Sequence, residues 1–381
     1  MSKVEHKKHV KILDIAKGFS IILMTLVHYP FIQVDNIYPN LNFLVDNVLM
    51  IFVVPIFIFI SGYLIRDKLS FKAYFFIKVD GLIKPLMGFL LCLTVLNILL
   101  YIISSDEVSI NGMTKYVNAL LSVFIYGNLG FVNYALWFVG ALFLGLIVLK
   151  GSLVSLSLKK PLRYLFLVFI GLMLLVLINT RIEFYYLSYV PIFFTFLVLG
   201  YSFKKISDRH LNGVSFFHSK IMIIFPVLFL ISCFVLNEFE IRTDLDIFLF
   251  VFNYHYLLLL SIAGIFSVFF FCRYLEKIPY LNKALVECSK ASFFILGFHV
   301  FILDVYRLMF NLNVYNPFLH FVLFVLNILM CYIIYRIATQ IPFIRLLFVP
   351  LKRIDLFKNE MRLIKYKPIN RLIPSEIINL N

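Results

Sequence analysis

The run Ile12-Leu13-Asp14-Ile15-Ala16-Lys17-Gly18-Phe19-Ser20-Ile21-Ile22-Leu23-Met24-Thr25-Leu26-Val27-His28-Tyr29-Pro30 decides the fold. It is long and apolar enough to cross a bilayer, which takes about 20 residues, yet it holds Asp14, Lys17 and His28. Lys3, Lys7, Lys8 and Lys11 precede it and no small-residue cleavage site follows it, so it is expected to stay in place as a first spanning helix. The rest of the 381 residues repeats the pattern: 62% are hydrophobic, only 14% are charged, and 45 Phe and 22 Tyr stand beside a single Trp. One soluble core cannot cover that much apolar surface. A soluble enzyme, a disordered chain and a secreted disulfide scaffold are thereby excluded.

Ten apolar runs lie between charged or Pro/Gly-marked breaks, near residues 12–31, 43–65, 82–103, 132–149, 162–179, 184–203, 220–237, 247–272, 291–310 and 318–338. The expected fold is an all-α, polytopic membrane bundle of about ten transmembrane helices. With the N-terminus in the cytoplasm, the inside segments carry 30 of the 35 Lys and Arg and the outside segments four, with Lys17 inside the first helix. That bias fixes both termini as cytoplasmic. It also accounts for the net charge of +15 without nucleic acid, since the basic residues form short clusters and no continuous face. The five cysteines (Cys92, Cys233, Cys272, Cys288, Cys331) sit in or beside apolar runs without CxxC spacing. They read as core thiols, not as a metal site. One acyl-chain-embedded domain is expected over residues 1–338, and a basic cytoplasmic tail lying on anionic lipid over 339–381. The Gly-interrupted stretch 116–130 is expected to be an outer-side interfacial or re-entrant piece.

Charged groups within spanning helices cost roughly 2.5–3.5 kcal/mol each on insertion scales, so each needs a partner, a cavity or a task. Asp14 and Lys17 are spaced i, i+3 and can pair. Lys17 and His28 are eleven residues apart, which is three turns plus about 20° of rotation and about 16.5 Å of rise. They share a face but cannot touch one atom; they suit the two ends of an extended ligand, with an anionic group at Lys17 and a reactive tip at His28. The second run ends in Ser61-Gly62-Tyr63, the fourth opens with Leu136-Trp137-Phe138, and the ninth carries His299 followed by Asp304 and Arg307, a pair at i, i+3 that can satisfy itself. Lys72, Lys78 and Lys84 add a cationic collar on the inside.

Taken in order, Asp14-Ile15-Ala16-Lys17-Gly18 with His28, Phe57-Ile58-Phe59-Ile60-Ser61-Gly62-Tyr63-Leu64, Leu136-Trp137-Phe138 and Ser292-Phe293-Phe294-Ile295-Leu296-Gly297-Phe298-His299 resemble the integral-membrane acyltransferase-3 family, over roughly residues 10–338. These enzymes O-acylate surface sugars and related molecules. The resemblance implies that Lys17 fills the place of the family's first-helix basic residue, more often Arg, and that His28 is the histidine that follows it. It implies further that Ser61, Gly62, Tyr63 and Trp137 line the acyl-CoA cavity, that Lys84 with Pro85 loosely matches a basic turn before the third helix, and that His299 is the late-helix histidine. The appended outside domain of some relatives has no counterpart, so a stand-alone enzyme is implied, acting directly on its acceptor or handing the acyl group to a glycan-assembly partner.

The expected chemistry is transfer of an acyl group, acetyl foremost, from cytoplasmic acetyl-CoA to a hydroxyl of a cell-surface or lipid-linked saccharide, in a bacterial inner membrane. Acyl-CoA is a donor substrate and no resident cofactor or metal is expected. Histidine suits a base working near neutral pH, so His28 is expected to deprotonate the hydroxyl and His299 to orient the acceptor or the thioester. A transporter or flippase for a lipid-linked sugar would also show ten spans with buried charge, and a membrane sensor would need no donor cavity.

Overall fold

The structure is a computed structural model that describes residues 3–28, 49–66, 69–105, 109–126, 132–156, 184–210, 215–238, 254–310 and 316–350, together with single positions between 161 and 173 and the pairs 354–355 and 362–363. It is helical apart from one antiparallel pairing of Ile354–Asp355 with Arg362–Leu363. The long helices are α1 (Lys3–Val27), α2 (Met50–Tyr63), α3 (Phe71–Lys78), α4 (Lys84–Ser104), α5 (Ile110–Tyr126), α6 (Trp137–Ser155), α7 (Val190–His210), α8 (Ile224–Glu238), α9 (Tyr254–Leu275), α10 (Pro279–Met309) and α11 (Pro317–Gln340), followed by the short α12 (Pro342–Phe348). Six stretches among the described residues are long and apolar enough to cross a membrane: Phe71–Ser104, Trp137–Ser155, Leu187–Asp208, Leu258–Leu275, Pro279–Met309 and Pro317–Gln340. The apolar run at 162–179 lies almost wholly outside the described residues.

Local signals set several of these boundaries. The Ser70 hydroxyl accepts from the Ala73 amide and opens α3, and Asn316 Oδ1 accepts from the Leu319 amide and opens α11 just ahead of Pro317. A π turn, Val79–Ile83, joins α3 to α4 and absorbs the change of register ahead of Pro85. The third apolar run, which the sequence opens near residue 82, is therefore the second half of one continuous helical stretch from Phe71 to Ser104.

Membrane helices associate through close packing, which favours small residues where backbones meet. A close seam joins α1 to α10, where Gly18 lies on the Leu285 backbone, while farther along the same helices the His28 and His299 rings face each other. The two helices therefore run parallel. α2 is buried on nearly every side. It runs parallel to α6 (Phe57 on Phe138, Lys150 on the Arg66 carbonyl), to α7 (Gly62 on Leu197, Lys204 on the Ile65 carbonyl) and to α9 (Ser261 on the Ile51 carbonyl, Phe59 on Phe269). α11 is antiparallel to α10, because Asn327 meets His299 while Tyr332 meets Glu287.

Two segments extend beyond their expected limits. The stretch read as interfacial from 116 is helical from Ile110 to Tyr126, with residues 127–130 outside the described residues. This α5 buries Val123 and leaves Val117, Leu121, Phe124 and Ile125 exposed, while Tyr116 meets Tyr101 of α4 at 6.0 Å. The packed bundle also continues past residue 338. α12 inserts Phe348 against Phe89 and Phe294, at ring-centroid distances of 4.7 and 5.5 Å, and the following Val349 carbonyl accepts from Lys84.

The α2–α7 crossing depends on having no Cβ on either side, since a methyl on Gly62 would strike the Leu197 backbone and one on Gly200 the Phe59 carbonyl. Gly62→Ala and Gly200→Ala should each cost about 1–3 kcal/mol. The expected readout is a lowered Tm of the purified protein in detergent, with Gly171→Ala, which meets nothing within 4 Å, leaving the Tm in place.

Candidate active site

Lys17, Ile21 and Met24 lie at i, i+4 and i+7 on α1 and line one cavity of about 130 Å³. Ser292 and Leu296 of α10 and Ser61 of α2 face the same space, and the first turns of α6 supply apolar wall through Phe138, Val139 and Leu142. Both stripes continue beyond the cavity. On α1 the next position on the face is His28, four residues past Met24; on α10 it is His299, three past Leu296 and seven past Ser292, which is within about 20° of the same direction. There the two imidazoles face each other, with ring centroids 5.4 Å apart and planes 30° apart. A cation, an apolar chamber with two serines and a pair of imidazoles thus follow one another along the α1–α10 seam.

The tautomer of His299 is fixed by its surroundings. Its Nδ1 lies 2.8 Å from the Ile295 carbonyl and 3.1 Å from that of Leu296. Carbonyl oxygens can only accept, so Nδ1 carries the proton and donates. The buried Nε2 makes no hydrogen bond among the described residues, which leaves a bare lone pair beside His28. An unsatisfied polar atom in an apolar interior is costly unless something visits it.

The Ser61-Gly62-Tyr63 segment is held from behind. α2 ends there, and the carbonyls beyond it receive two ammonium groups: Lys150, fully buried, donates to the Arg66 oxygen at 3.2 Å, and Lys204 to that of Ile65 at 3.4 Å. Cations at a helix C-terminus satisfy carbonyls that would otherwise be orphaned and complement the helix dipole. Ser61 faces the cavity, Gly62 meets α7, and the Tyr63 ring packs on Phe203 at 6.4 Å.

Lys17, Ser61, His28 and His299 therefore gather along one path, while other candidates stand apart. Trp137 packs tilted against Tyr189 at 4.8 Å and edge-on against Phe193 at 6.0 Å, while its neighbour Phe138 lines the cavity. Lys84 donates to Asp80 Oδ1 at 2.6 Å and to the Val349 carbonyl at 3.0 Å. Asp14 feels the charges of Lys17 and Lys290 but forms no direct ion pair with Lys17 among the described residues, whereas Arg307 donates to Asp304 at 2.8 Å. Ser292, which sequence reading passed over, shares the cavity; its spacing of seven from His299 was the available signal. No group of three or more His, Cys, Asp or Glu gathers to hold a metal ion among the described residues, and all five cysteines are free.

A helical membrane bundle with a cation, a partly open apolar chamber and paired imidazoles along one seam has the parts of a membrane group-transfer enzyme. A model of the acyltransferase-3 family, described as an acyltransferase domain, matches residues 10–336. The chain belongs to that family and is a membrane protein with an acyltransferase domain. No curated protein and no solved structure matches it.

The bonds of Lys84 assign it to holding the tail on the bundle. Lys84→Met should lower the Tm by an amount corresponding to about 1 kcal/mol and leave the KM for an acyl donor within twofold of the parent, measured in detergent-solubilised protein.

Proposed function

We propose that the protein is a membrane O-acyltransferase that moves an acyl group, acetyl foremost, from cytoplasmic acyl-CoA to a hydroxyl of a cell-surface or lipid-linked saccharide. The observation that carries this reading is the single file of Lys17, cavity and imidazole pair along α1 and α10. An ammonium at one end suits a phosphate of the donor, the apolar chamber suits the pantetheine arm and thioester, and the histidines suit the acceptor hydroxyl. The rise of about 16.5 Å between Lys17 and His28 matches an extended donor rather than a compact one.

In the proposed step the hydroxyl oxygen attacks the thioester carbonyl carbon and the carbon–sulfur bond breaks. The hydroxyl proton passes to an imidazole nitrogen, which returns it to the departing CoA thiolate. The bare Nε2 favours His299 as that acceptor, with His28 facing it across the reacting atoms, a reversal of the roles expected from sequence. General-base assistance of this kind contributes about 10²–10⁴-fold.

Ten spans with both termini inside are part of the same reading, with residence in a bacterial inner membrane. The parallel course of α2 and α6, of α6 and α7, and of α7 and α9 supports an odd number of crossings between each pair. The sequence offers one in each place: the α3–α4 stretch, the apolar run at 162–179, and α8. The membrane domain ending near residue 338 and the basic tail beyond it are kept as the division of the chain, with α12 docked on the bundle.

Membranes holding the protein, supplied with radiolabelled acetyl-CoA and glycan acceptor, should pass label to the glycan. His299→Gln should lower kcat by about 10²–10⁴-fold with little change in donor KM, and Lys17→Met should raise donor KM at least tenfold, the loss of one charged contact of about 1.5–3 kcal/mol. Sugar crossing the membrane unacylated would replace this reading with transport. Normal transfer by His299→Gln alongside loss in His28→Gln would return the base role to His28.

A further inference from the structure

Two buried asparagines act on the backbone of α10 at the turn that carries His299. Asn133, at the entry to α6, donates through Nδ2 to the Gly297 carbonyl at 2.9 Å, while its Oδ1 accepts from the Ala135 amide at 2.9 Å. Asn327, within α11, donates through Nδ2 to the His299 carbonyl itself at 2.9 Å, and its Oδ1 accepts from the Cys331 thiol at 3.5 Å. Both side chains are buried, at 4% and 1% exposure. Together with the Nδ1 bonds to Ile295 and Leu296, four carbonyls within five residues receive a side-chain donor. A helix that satisfies its own carbonyls does not need these bonds. Amides placed within a membrane bundle to make them are costly unless they fix something.

We propose that Asn133 and Asn327 are positioning residues for the transfer reaction, clamping α10 from two sides so that the His299 ring keeps its Nδ1 proton on the Ile295 and Leu296 carbonyls and presents a bare Nε2 to His28. The proposal rests on the acyltransferase reading above. The geometry gives each amide a distinct part. Asn133 ties His299 to the first turn of α6, whose next residues wall the cavity, so the base and the chamber move as one body. Asn327 fixes the rotation of α10 at His299 itself. Without these bonds the carbonyls remain satisfied within the helix, so the bundle survives, but the ring is free to turn and to place its proton on either nitrogen.

Two substitutions separate the clamp from folding. Asn133→Ser keeps an N-cap oxygen for Ala135 but is too short to reach Gly297, and Asn327→Leu keeps the branched shape while removing the donor to the His299 carbonyl. The protein is prepared in lipid with 15N-labelled histidine, the His299 signals being assigned by their loss in His299→Gln. The wild type should show one tautomer protonated at Nδ1, and both variants a mixture. With acetyl-CoA and glycan acceptor, kcat should fall at least tenfold in each variant with donor KM within twofold, and the pH dependence of kcat should shift, none of which a purely structural loss would produce together. Folded variants with wild-type kcat and a single tautomer would overturn the proposal. A wild type without transfer activity but with the tautomer mixing in both variants would retire the acyltransferase reading and leave the clamp standing.

Discussion

The α1–α10 seam sets the terms for everything around it. Gly18 brings the α1 backbone onto Leu285, a contact no larger residue permits, and a parallel pair joined that closely has to keep its side-chain stripes in register over several turns. Lys17 and Ser292 therefore open onto one space, and His28, three turns past Lys17, meets His299, two turns past Ser292. In water such a seam would be one apolar contact among many. In a bilayer, where burying apolar side chains brings little extra gain, close backbone approach is a principal source of specificity. The site lies along one of the closest helix contacts among the described residues.

Polar groups buried around that seam divide into satisfied and unsatisfied ones, and the division is informative. Lys150 is wholly buried yet donates to a helix-end carbonyl, Lys84 bridges a carboxylate and a carbonyl, and Asn133 and Asn327 spend every amide group on backbone or thiol. These residues stabilise geometry. His299 Nε2 instead ends in an apolar interior with no bond among the described residues, and Lys17 borders the cavity without a direct ion pair to Asp14 among the described residues. Ser20 Oγ and Tyr74 Oη share the condition of His299 Nε2 away from the chamber, so it is the position of His299 in line with the cavity, beside His28, that sets it apart.

Much of this was legible beforehand because it follows from helical periodicity. The eleven-residue spacing of Lys17 and His28 put both on one face, and apolar run lengths located most helices. The tight crossings were less legible, since Gly18, Gly62 and Gly200 look alike in sequence and only the partner backbone tells which is indispensable. Lys84 and Trp137 illustrate what spacing leaves open: where a cation or an indole near a site points depends on its partners, here Asp80 with Val349 and Tyr189 with Phe193. The end of the bundle at 338 was drawn where charge density rises, and the docking of Phe348 on Phe89 shows that a basic segment can still spend one aromatic on the core.

The dimensions of the chamber bear on what it can sort. A volume of about 130 Å³, where one water needs about 10–15 Å³ of such space, leaves room for only a short stretch of a ligand. Under the proposed reading, a donor drawn in along the seam would leave its charged head with Lys17 and bring the end of its arm and its thioester past Met24 and Leu296 towards the histidines. Discrimination under that reading would fall where the rings of His28 and His299 stand 5.4 Å apart, since the apolar walls offer few hydrogen bonds. An acyl group that lengthened the tip would have to separate α1 from α10. The glycine contact at Gly18 resists that separation, so the packing that builds the site also limits what enters it.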